Sequence, residues 1–142
     1  MNNTNLSNEW KLETRISELL LLLGADVKLQ GFQLAVSAVK YILQNKTKHI
    51  CFQNDVYPAV AELFHTTVGK VDRNVRAFIA KIWSKKKAAA ITRFFGAYHP
   101  YDIPSNKQFL FFIAEKLSAE FLYLKDGTLV CFSDLPVSPL PA

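Results

Sequence analysis

The chain has 142 residues, half of them hydrophobic and 13% aromatic, enough apolar material for one domain with a real core. Its formal charge of +5 is uneven: Val68–Arg93 holds eight basic residues against the single acid Asp72, so that segment is +7 and the remainder −2. Sparse Gly and Pro argue against a many-turned β fold, two distant cysteines (Cys51 and Cys131) against a disulfide framework, and one basic zone for a nucleic-acid or anionic-membrane binder.

Residues 1–11 are polar and Asn-rich, without the apolar stretch of a secretory leader, and read as a flexible N-terminus. Leu12, Ile16, Leu19, Leu20 and Leu23 then recur on one stripe and predict a helix over Leu12–Leu23, with Gly24 as its stop. Leu21 and Leu22 widen that stripe, which predicts burial on more than one side. The run Leu19–Leu23 is far short of the roughly 20 apolar residues that span a bilayer, and the expected setting is soluble, cytoplasmic and nucleoid-associated.

Phe32, Ala35, Val36, Val39 and Leu43 mark a second helix over Gly31–Gln44. Asn45–Val56 is irregular, and Ile50, Cys51 and Phe52 are expected to plug the core from a loop. Tyr57-Pro58 opens a short helix, Pro being tolerated in a first turn, with Val60, Ala61 and Phe64 facing inward. It ends at His65-Thr66-Thr67, and Thr66 or Thr67 can cap the next helix, Val68–Trp83.

That helix has two unlike faces. Val68, Val71, Val75, Phe78, Ile79 and Ile82 form an apolar stripe. Opposite lie Gly69, Lys70, Arg73, Arg76, Ala77 and Ala80, with Asp72 at the margin. Basic residues set among Gly and Ala suit close approach to a polyanion. A short helix, a tight turn and a longer helix with a cationic outer face over about residues 57–84 make a helix-turn-helix pattern.

Lys85-Lys86-Lys87 follows, then a short helix Ala88–Phe95 stopped by Gly96, and a loop Ala97–Pro104. Ser105 is an N-cap for Asn106–Glu120, where Phe109, Phe112, Ile113 and Leu117 pack inward. Phe121–Lys125 and Thr128–Phe132 flank Asp126-Gly127, the strongest short hairpin signal. The tail from Ser133 is Pro-rich and expected to be extended or disordered. The expected architecture is an all-α six-helix bundle over residues 12–120 with a β-hairpin appendage and tail over residues 121–142.

Several words in this order resemble the C-terminal DNA-binding domain of the master response regulator of endospore formation, the stage 0 sporulation protein A. They are Tyr57-Pro58, Phe64 to Thr67, Val71, Arg73, Arg76, Trp83, Phe95-Gly96, Pro104-Ser105-Asn106, Phe109 and Ala114–Leu117. Ile16 to Gly24 and Gly31-Phe32 match the family's first helix and the start of its second. The resemblance implies a six-helix DNA-binding domain that binds promoter boxes, often in tandem, and regulates transcription. In the family's recognition helix an acidic residue followed by Arg reads base edges; those positions are Asp72 and Arg73 here, with Lys70 and Arg76 as matching basic neighbours. Arg can bond guanine bidentately, and a carboxylate can accept from the cytosine amino group.

The chain departs from the family in three places. No receiver domain precedes the first helix, so control by phosphorylation is not expected. The loop Tyr98–Pro104 carries no Lys or Arg where the family's is basic, and Ala77 replaces a family His. The expected DNA-contact set is Thr67, Gly69, Lys70, Asp72, Arg73, Arg76, Lys85, Lys86 and Lys87.

Bland readings stand beside these. Asp72 is either a base reader or an i+4 partner of Arg76, and Lys85–Lys87 either a phosphate contact or a charged helix end. His49 and Cys51 make a weak metal pair, and no nucleophile–base pair or Gly-rich phosphate loop supports catalysis, so no metal, cofactor or enzyme activity is expected. The expected partners are double-stranded DNA, a second copy on tandem boxes, and RNA polymerase. The rival reading is a protein-interaction module that keeps the fold without specific DNA binding and uses an exposed hairpin edge.

Overall fold

The structure, a computed structural model, describes residues 3–46 and 49–136. Among them are six α-helices, α1 (Asn3–Leu22), α2 (Gln30–Gln44), α3 (Tyr57–Leu63), α4 (Val68–Ser84), α5 (Ala88–Phe95) and α6 (Asn106–Leu117). Two short strands follow, β1 (Phe121–Tyr123) and β2 (Leu129–Cys131). The all-α bundle with a hairpin appendage is the architecture the apolar spacing implied.

α2 is the central helix. Nine of its fifteen residues are buried, too many for a helix with one inner face. It packs against α1, α3, α4 and α6. Its closest partner is α4, which buries Val71, Val75, Phe78, Ile79, Ile82 and Trp83. At the far end of α4 the frequent Phe residues find their use. Trp83 meets Phe95 edge-on at 5.6 Å and Phe109 at 6.2 Å, and Phe95 stacks on Phe112 at 4.3 Å. α4 is thus held along its length by α2 and at its C-terminal end by aromatic rings.

The ends of α6 and of the α3–α4 turn follow local sequence rules. Ser105 caps α6 in a reciprocal box with Gln108: the Gln108 amide donates to Ser105 Oγ, and the Ser105 amide to Gln108 Oε1. The turn from α3 places His65 at φ +53°, and the Thr66 amide donates back to the Ala61 carbonyl. Gly96 ends α5 in the left-handed region, at φ +81°.

Other expectations need correction. The first helix starts at Asn3 rather than Leu12. Residues 3–11 lack a continuous apolar stripe because their partners are polar and distant. Asn5 Oδ1 accepts from the Leu129 amide at 2.8 Å, and the buried Asn8 Nδ2 donates to the Leu129 carbonyl at 2.9 Å. Lys11 pairs with Asp134 and Arg15 with Glu120. The outer edge of β2 is therefore covered at Leu129 by α1 and is not open to a partner strand there. Leu21 and Leu22 are about half exposed, so α1 has a single inner face. α6 ends at Leu117, three residues early, and the loop before α3 contains a π-helical turn, Phe52–Val56. From that loop Phe52 is buried and Ile50 packs on the core, whereas Cys51 is exposed.

The strands pair antiparallel, Phe121 with Cys131 and Tyr123 with Leu129, across a turn in which Gly127 takes φ +91°. The start of the Pro-rich tail forms a 3-10 turn, Phe132–Asp134; residues 137–142 lie outside the described residues. No helix among the described residues is long and apolar enough to cross a membrane.

Candidate nucleic-acid interface

The outward face of α4 is built from its N-terminus. Thr67, in extended conformation, accepts from the Lys70 amide at 3.2 Å, which starts the helix and satisfies one of its orphan donors. Removing that cap, Thr67→Ala, is expected to cost about 1 kcal/mol of stability, read by thermal or denaturant unfolding. An unchanged midpoint would show that the Thr67 hydroxyl contributes no net stability.

From this start, Gly69, Lys70, Arg73, Arg76 and Ala77 are exposed, and Ala80 is half-buried. A Cβ at Gly69 would have no atom within 4 Å, so the surface there is open. Lys70 and Arg73 make no side-chain hydrogen bond or ion pair among the described residues. Their charges are uncommitted.

Arg76 and Asp72 are committed to each other. Arg76 Nη2 donates to Asp72 Oδ2 at 2.6 Å. The other carboxylate oxygen of Asp72 faces inward. It accepts from the Tyr57 hydroxyl at 2.8 Å and from Asn106 Nδ2 at 3.2 Å. Asn106 Nδ2 also lies 2.8 Å from the Tyr57 oxygen and 3.0 Å from the Asp72 carbonyl. Both Tyr57 and Asn106 are buried. Burial pushes the Tyr57 hydroxyl up to about 12; the Asn106 amide opposes the rise and the Asp72 carboxylate adds to it. Tyr57 is therefore a neutral donor at any physiological pH.

Tyr57 opens α3, Asp72 lies in the second turn of α4, and Asn106 opens α6. The three side chains bind the ends of three helices at one point. Beside them runs a cleft of about 690 Å³ between α4 and the start of α6, walled by Arg76, Ala80, Pro104 and Lys107 among others. Lys107 was not among the expected contacts, because in sequence it reads only as a residue in the first turn of a helix.

Lys85–Lys87 sit beyond the C-terminus of α4, all exposed. The stems of Lys85 and Lys87 cross the chain at Gly24, where a Cβ would stand 3.5 and 3.1 Å from their Cδ atoms. Gly24 has φ +99° just after α1, so the two lysines also lie beside that helix's C-terminus, where cations are favoured. The loop after α5, which has no Lys or Arg, is tied to α4 by Tyr98, whose hydroxyl donates to the Trp83 carbonyl at 3.1 Å. Its Tyr101 is fully exposed.

The structure thus places all nine expected contact residues in or beside α4. Six of them, from Thr67 to Arg76, occupy its N-terminal half, and the lysines its C-terminal end. Tyr57, Asn106 and Lys107 join them from other helices. A family model described as "Sporulation initiation factor Spo0A C terminal" matches residues 16–117. The matched span ends with α6 and takes in α2 to α6 whole; the first turns of α1 and the hairpin fall outside it.

Proposed function

We propose, from the premise that this chain belongs to the Spo0A C-terminal family and so to the DNA-binding effector domains of sporulation regulators, that it recognises specific duplex sequences with α4 in the major groove. The observation that carries this reading is the outer face of α4: an uncommitted Arg73 and Lys70 on a helix whose neighbouring outward residues are Gly69 and Ala77. Small residues let the helix backbone come close to the base edges, and the free Arg can then reach guanine O6 and N7. Lys70 and Arg76, with Lys85–Lys87 beyond the helix, meet phosphates and set the register. Lys107, across the cleft from Arg76, adds a cation on the side where the loop before α6 has none. Thr67 and Gly69 lie where the helix N-terminus approaches the backbone. On tandem boxes two copies would bind side by side on the duplex.

A gel-shift titration tests this reading, using duplexes selected from a random pool and a scrambled control. Selected duplexes should bind in preference to scrambled ones. If about five phosphates are neutralised, affinity should fall on the order of 10²- to 10³-fold between about 50 and 200 mM salt. No enrichment of any sequence, with no shift at about micromolar protein in low salt, would overturn it in favour of an interaction module.

A further inference from the structure

We infer that Asp72 does not read a base but is a positioning residue, which locks the recognition helix to α3 and α6 through Tyr57 and Asn106 and aims Arg76 with its second oxygen. The inference rests on α4 being the DNA-contacting helix. By position alone Asp72 has an equal claim to base contact with Arg73, one residue further on.

The hydrogen bonds decide between the roles. Oδ1 takes donors from Tyr57 and Asn106, and Oδ2 takes Arg76. The Asp72 side chain is 27% exposed, against 69% for Arg76. Turning the carboxylate outward to meet a cytosine amino group would strip the acceptor from the hydroxyl of a Tyr that is 2% exposed, while Asn106 Nδ2 would keep the Tyr57 oxygen and the Asp72 carbonyl. A buried hydroxyl donor left unpaired would offset what one base contact gains. Asp is also the shorter of the two acids, and its length suits the inward bond.

The lock has a consequence for recognition. It ties the second turn of α4 to the N-termini of both the helix before it, α3, and the later helix α6, so it fixes the rotation of α4 about its own axis. Arg73 lies about 100° further round the helix and inherits that setting. With Asp72 held inward, α4 reads fewer base edges than a helix with a free acid at this position. Sequence discrimination then falls on Arg73, and no base pair is selected by a carboxylate.

Two side-chain changes test the assignment while keeping shape: Tyr57→Phe and Asp72→Asn, singly and together. Each is titrated on the preferred duplex and on a panel changed one base pair at a time. Unfolding midpoints are measured alongside. Asn8→Ala serves as a control that removes a buried hydrogen bond joining α1 to β2, with no α4 residue in it.

Each single variant should weaken binding about three- to thirtyfold, by a similar factor on every duplex of the panel. The double variant should bind no more weakly than the weaker single. Asn8→Ala should lower the midpoint and leave affinity unchanged, which separates positioning from general stability. Relaxed discrimination at one base pair in Asp72→Asn alone would overturn the assignment. So would additive losses in the double variant, or unchanged affinity in both singles. A wild-type chain that prefers no duplex would instead overturn the DNA reading itself, and the assignment with it.

Discussion

Replacing Gly31 by Ala should destabilise the domain by about 1–3 kcal/mol, although Ala is the better helix former. Gly31 is the second residue of α2, at a close approach of α2 to α4. A Cβ there would lie 2.5 Å from the Asn74 carbonyl oxygen and 2.5 Å from Phe78 Cβ. Neither atom can swing away. One is backbone, and the other is the root of a fully buried ring that meets Phe32 edge-on at 5.9 Å. Relief requires α2 and α4 to move apart, which opens the most extensive helix–helix contact in the fold. For a domain of this size, 2 kcal/mol corresponds to a fall of about 5–8 °C in Tm. Gly69→Ala is the contrasting change. It meets nothing within 4 Å and should leave stability level or raise it slightly, by up to about 1 kcal/mol. A Tm for Gly31→Ala at or above wild type would show that the α2–α4 approach is looser than described. The change should also weaken DNA binding, because α4 is seated on α2 at this point.

The lock and the Gly31 contact act on the same helix from two sides. α2 supports the inner face of α4 at Asn74 and Phe78, while α3 and α6 hold its second turn through Tyr57 and Asn106. The outward side chains of Lys70 and Arg73 have no hydrogen bond or ion pair among the described residues to break before binding. A recognition surface of this kind loses little entropy on docking, since its backbone is already fixed and only the long side chains need ordering. Arg76 is the exception. Its guanidinium must either keep Asp72 while touching a phosphate or exchange one anion for another.

α4 was legible in the sequence because every signal that defines it is local. The apolar stripe has helical spacing, Thr67 stands directly before it, and the basic face shares its sixteen-odd residues. The same holds for Ser105 and α6. What stayed hidden is long-range and polar. Asn8 and Leu129 are 121 residues apart, and an Asn-rich opening looks unstructured when its acceptors lie on a hairpin at the other end of the chain. Asn106 reads as a helix-start residue beside a good cap; its bonds to Tyr57 and Asp72 span 49 and 34 residues. Gly31 reads as a helix boundary, whereas the fold uses it for a missing side chain. Local pattern thus carried the elements and the charged face, but not the polar contacts that orient that face.

Arg73→Ala should cost about 1–3 kcal/mol of binding to the preferred duplex, roughly 5- to 150-fold in Kd, and relax selectivity at one base pair. Its guanidinium is exposed and has no partner among the described residues, so the loss should appear in binding and not in folding. Tm should stay within the small range typical of surface changes, about 0.5 kcal/mol. Arg73→Lys should recover little, because a single ammonium cannot present the paired donors that match guanine O6 and N7. Arg76→Ala should behave differently. It removes a phosphate contact and leaves Asp72 without its outer partner, so affinity should fall on all sequences and the salt dependence flatten by about one phosphate. The two arginines stand on one face, three residues apart, with equal charge. Charge alone would make their losses alike on preferred and scrambled duplexes. Equal loss on both duplexes for Arg73→Ala would reduce it to another cation on a basic helix, whereas loss confined to the preferred duplex, with discrimination gone at one position, requires the bidentate contact that only its free guanidinium can make.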